Sequence, residues 1–203
     1  MSKRKFDDII NFNPNKNKCV LDVHYTNESL PNTNVFLKDN HIYFESIINT
    51  ETIDILIHFI KSIITNSNNF KDSSVYIHIN SNGGSVGDLI KFMEFKNNSD
   101  IEIISIIQYK CNNTAILFAS LCDYRIICKK TICVLNKYVG DNMWGQYIQC
   151  NKDEIERFKQ CMLFILNTIS YKVTEEKMNK YFSQDNCWNA KKMKKIGFVD
   201  EIV

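Results

Sequence analysis

The chain has 203 residues, 44% of them apolar and 24% charged, which is enough for one domain with a buried core and normal for a globular protein. With 25 basic and 23 acidic residues the net charge is +2, too balanced for a nucleic-acid-binding surface. No run approaches the ~18 uninterrupted apolar residues of a membrane span, because Asp54, His58 and Lys61 break the stretch Ile53 to Ile64.

Residues 1 to 30 are polar, carry Asn13-Pro14-Asn15-Lys16-Asn17, and lack a sustained period, so they read as a flexible arm. The first twenty residues contain no apolar signal region, and the expected place is the cytoplasm (the host's, if the chain is viral). Val35-Phe36-Leu37 and Ile42-Tyr43-Phe44 flank Lys38-Asp39-Asn40, a strand, a turn and a second strand. From Thr52 the residues Ile53, Leu56, Ile57, Ile60 and Ile64 recur at helical spacing, and Asn66-Ser67-Asn68-Asn69 ends the helix.

Ser74 to Asn80 reads as a buried strand running into Ser81-Asn82-Gly83-Gly84-Ser85, followed by a helix over about Val86 to Phe95. Ile101 to Ile107 is almost all isoleucine and so a strand buried on both faces. A helix starts at Thr114, and Tyr124 to Ile127 and Thr131 to Leu135 are short strands. The longest helix is expected over Lys152 to Ser170, and Thr174 caps a short one. Alternating strands and helices define an α/β class with a mainly parallel sheet, in one domain over residues 31 to 203. Eight cysteines without a CxxC pair, set mostly among apolar neighbours, read as small buried hydrophobes rather than a disulfide frame or a zinc site.

The segment Ile77-His78-Ile79-Asn80-Ser81-Asn82-Gly83-Gly84-Ser85-Val86 resembles the strand and glycine turn of Clp protease proteolytic subunits, usually worded Ile-Asn-Ser-Pro-Gly-Gly-Ser-Val. Further landmarks follow in the family's order. Ile107 to Thr114 is similar to Gly-Gln-Ala-Ala-Ser-Met-Gly-Ala, and Val134-Leu135-Asn136-Lys137-Tyr138 to Met-Ile-His-Gln-Pro. Gln184 to Ala190 matches the segment with the family's acidic residue, and Ile196 to Ile202 its closing Tyr-Gly-Leu-Val-Asp-Glu-Ile. The resemblance implies a ClpP/crotonase-like fold of stacked βαβ units, with a protruding handle helix at about residues 140 to 170.

Carried over position by position, the resemblance places Cys111 as nucleophile, Asn136 as general base, Asp185 as orienting acid, and the amides of Gly84 and Asn112 as the oxyanion hole. Asparagine cannot take and return the nucleophile's proton, because a carboxamide has no useful pKa near neutrality. A thiol needs less help than a hydroxyl, and Lys110 with the helix start at Thr114 would favour its thiolate. Amide hydrolysis still needs an acid for the leaving nitrogen. Asn113 also stands where the family has glycine, and Lys137-Tyr138 where it has Gln-Pro.

The reading that follows is a peptidase homologue without peptidase activity, acting as a structural or regulatory oligomer subunit. Two alternatives compete with it: a working peptidase or esterase with Cys111 as nucleophile, and a crotonase-like acyl-CoA binder using the Gly83-Gly84 turn. No metal and no organic cofactor is expected. The resemblance implies self-association into a ring or mixed ring and a Clp-type ATPase unfoldase as partner, although the arm Met1 to Leu30 shows little of the family's docking pattern.

Overall fold

The computed structural model describes residues 34–66, 74–136, 175–182 and 184–203. The expected arm, the handle helix and the Thr174 cap lie outside the described residues. Strands β1 (Val35–Lys38) and β2 (His41–Phe44) form a hairpin through the two-residue turn Asp39-Asn40, with Asp39 at φ +55° as tight hairpin turns require. Helix α1 (Thr50–Asn66) follows, and its start is fixed reciprocally: Asn49 Oδ1 accepts from the Thr52 amide and Thr52 Oγ1 from the Asn49 amide. Then come β3 (Val75–Ser81), α2 (Val86–Asn97), β4 (Ile103–Cys111), α3 (Thr114–Ser120), β5 (Tyr124–Ile127) and β6 (Ile132–Leu135). The chain closes with α4 (Glu175–Phe182), β7 (Asn186–Asn189), α5 (Ala190–Ile196) and β8 (Glu201–Ile202).

The strand order is β1-β2-β3-β4-β5-β8, with β6 branching from the end of β4 and β7 pairing β6. Among the described strands only β1–β2 and β6–β7 run antiparallel, so the sheet is mainly parallel as the alternating pattern requires. Alternation along the strands separates two faces. Ile42, Phe44, Ile77, Ile79 and Ile107 join Ile53, Leu56 and Ile60 of α1, Leu89 and Phe92 of α2 and Met193 of α5 in the main core. The opposite face holds a smaller cluster of Tyr76, Ile104, Ile106 and Ile126. Phe118 of α3 ties the layers, its ring edge-on to Phe44 at 5.1 Å and to Phe92 at 5.0 Å.

Two elements differ from the sequence expectation. Strand β4 continues past the isoleucine run through half-buried Gln108 and exposed Tyr109 and Lys110 to Cys111, because Lys110 pairs Ile132 of β6 and Cys111 pairs Ser81 of β3. Strand β7 is a short, largely polar strand that packs by Trp188 alone, which stacks on Phe198 and meets Tyr181 edge-on. Its sequence carries no alternation strong enough to read. The C-terminus is locked by Arg125 and Asp200, whose guanidinium and carboxylate form two parallel hydrogen bonds of 2.7 Å.

Candidate functional site

The glycine turn, the end of β4 and the start of α3 meet at one corner of the sheet. Gly83 and Gly84 adopt φ +101° and +154°, regions that side chains rarely enter. A Cβ on Gly84 would stand 2.1 Å from the Ile48 carbonyl oxygen, and one on Gly83 would stand 2.9 Å from the Asn112 carbonyl oxygen. Backbone approach therefore explains both glycines. The Ile48 amide donates to the Gly83 carbonyl at 2.9 Å, and the Ser85 amide donates to the Ile48 carbonyl at 2.7 Å. Thr114, buried, donates its hydroxyl to the Gly84 carbonyl at 2.9 Å. Ser85 caps α2 by accepting the Asp88 amide.

Two consecutive asparagines stitch this corner to β6. The Asn112 Oδ1 accepts the Val134 amide and the Asn113 Oδ1 accepts the Asn136 amide, both at 2.9 Å, while the Asn113 amide donates to the Val134 carbonyl. Asn113 does this at φ +49°, ψ −122°, a glycine-type conformation. Register carries the join onward. Leu135 pairs Asn186 at the end of the antiparallel β6–β7 ladder, so Asn136 and Asp185 are the next residues on the two chains beyond it. The backbone thus brings Cys111, Asn112 and Asn136 to the glycine turn, while Asp185 stands just ahead of β7.

Cys111 is fully buried, its thiol against Cys133 in the main core, and desolvation first, then Cys133, hold its pKa well above the usual thiol value. This corrects the expectation that Lys110 and the helix start favour the thiolate. Lys110 is exposed, while the sulfur lies inside, where burial decides. The Asn112 amide, expected in the oxyanion hole, donates to the Ser81 carbonyl at 3.0 Å. Asn136 and Asp185 are exposed.

Three histidines lie among the described residues. His41 and His78 project from the opposite face of the sheet, alternating with Ile42, Ile77 and Ile79 of the main core, and His58 is exposed on α1. Among the described residues, no group of three or more His, Cys, Asp or Glu side chains is placed to hold a metal ion, and no helix is long and apolar enough to cross a membrane. Sequence reading missed the two asparagine side-chain clamps. The signal for the second was Asn113 at a glycine position, since asparagine side chains hydrogen-bond nearby backbone.

Fold and site together define an α/β protein of stacked βαβ units with a glycine turn facing a strand-to-helix corner. Residues 26–203 match the Clp protease family, and the chain belongs to it. Among solved structures it is similar to the ClpP protease catalytic domain from Plasmodium falciparum, with 22% identity and a TM-score of 0.64 over 79% of this chain and 83% of that one. A search among curated proteins found no match.

Proposed function

We propose that the chain is a Clp protease subunit homologue that does not cleave peptide bonds and serves as a structural or regulatory member of an oligomer. The observation that carries this reading is a carboxamide, Asn136, at the position of the general base. Acyl transfer needs a group there that accepts the nucleophile's proton and returns it to the leaving amine. Two further features support it. The Cys111 sulfur is enclosed in the core, so it neither meets a carbonyl nor ionises readily. The Asn112 amide is already bonded to Ser81, which removes one donor from a developing oxyanion. Loss of a triad member alone lowers turnover by several orders of magnitude.

Self-association, alone or in mixed rings with active subunits, is the role this leaves for a chain with the family's fold. A Clp-type ATPase is the partner to test. Light scattering over a concentration series is expected to show a defined oligomer, and a monomer at every concentration would remove the ring role. Incubation with a thiol-reactive peptide probe is expected to leave Cys111 unmodified in intact mass spectra. A stoichiometric adduct on Cys111 would favour the thiol hydrolase instead.

A further inference from the structure

The outer face of the sheet carries two histidines that peptidase chemistry does not use. His41 opens β2 and His78 lies in the middle of β3, with His41 Nδ1 and His78 Nε2 2.9 Å apart. At that distance one ring donates and the other accepts, so a single proton occupies the contact. The pair sits in a ladder of rings. Tyr43 stacks on His78 at 4.4 Å and Tyr76 on His41 at 4.7 Å, and Phe36 lies against Tyr43 at 4.8 Å. His78 is 3% exposed, and its other nitrogen, Nδ1, is buried.

Few charges offset a proton here. Lys38 of β1 and Asp39 of the hairpin turn act on His41 in opposite senses, Glu102 ahead of β4 acts on Tyr76, and β4 offers His78 the neutral Gln108. Burial lowers the His41 pKa, and burial followed by the His41 ring lowers that of His78 to about 3.

We propose that His41 and His78 form an acid-released latch between β2 and β3, closed while the two rings share one proton and opened when both are protonated. In the closed form the N–H···N bond holds the ladder flat on the sheet. With both rings charged, two N–H donors face each other at 2.9 Å, and His78 leaves its stack on Tyr43. The sign follows from linkage. Below pH ~6.5 the unfolded chain binds protons that the folded pair refuses, so stability present above that value is lost as pH falls toward the His78 value.

The test compares thermal melts of the full chain at pH 7.5 and pH 5.0 for wild type and for His41→Phe/His78→Phe. Wild type is expected to lose about 5 °C or more beyond the loss of the double variant. Equal losses would overturn the latch. If the double variant does not fold, a histidine-resolved NMR titration of wild type decides. The expected result is no His78 titration between pH 7 and 6, and movement of Tyr43 resonances with the onset of protonation. A His78 midpoint near 6.5 with Tyr43 unmoved contradicts the proposal.

Discussion

At Asn113 the chain turns through φ +49° and ψ −122°, which costs a non-glycine residue roughly 1–3 kcal/mol, and the Asn136 amide bonded to its Oδ1 offsets part of that. Asn113→Gly relieves the backbone but forfeits the clamp, so its stability is expected within about 1 kcal/mol of wild type. Asn113→Ala keeps the strain and loses the clamp, and is expected to cost about 2 kcal/mol in denaturant melts. Gly84→Ala is more severe. Its methyl group has no space before the Ile48 backbone, and a loss of ~4 kcal/mol or more, seen as insoluble or molten protein, is expected. For Cys111, the raised pKa means less thiolate at pH 8 than a free thiol has. Iodoacetamide at that pH is expected to modify exposed Cys187 before Cys111, which reacts only after unfolding, read by peptide mapping. Positions 111, 136 and 185 are assigned in the sequence by their order among the family's landmarks. What was not legible is direction: whether a sulfur at the end of β4 faces a cleft or the core depends on where Cys133 of β6 comes to lie.

Among the elements, those that bury a strong period were readable. The α1 face of Ile53, Leu56, Ile57 and Ile60 and the isoleucine run of β4 declare themselves because apolar burial dictates both their type and their position. The end of β4 and all of β7 did not, since main-chain pairing to β6 fixes them and their side chains are mostly exposed or polar. Long-range pairing leaves no local mark on a sequence. The same logic ranks the elements by sensitivity. Phe118, fully buried between β2 and α2, is expected to cost ~3–5 kcal/mol on truncation to alanine. Exposed Tyr109 on β4 is expected to tolerate alanine within about 0.5 kcal/mol. Urea denaturation of the two variants checks the contrast.

For the whole molecule, a family scaffold persists around a corner whose polar groups serve the backbone. Asn112 and Asn113 hold the β6 segment by their side chains, the Asn112 amide holds β3, Gly84 admits Ile48 and Gly83 admits the Asn112 carbonyl. A catalytic corner keeps such donors unpaired until substrate arrives. Restoring Cys111→Ser with Asn136→His is accordingly expected to recover little turnover, because the nucleophile's direction and the engaged Asn112 amide stay as they are. The account rests on the absence of proton transfer at Cys111, and steady-state turnover of a small peptide ester and its amide by the full chain, beside Cys111→Ala, tests it most directly. Identical background rates for the two proteins, on both substrates, are the predicted result. Turnover by wild type that disappears in Cys111→Ala would contradict it.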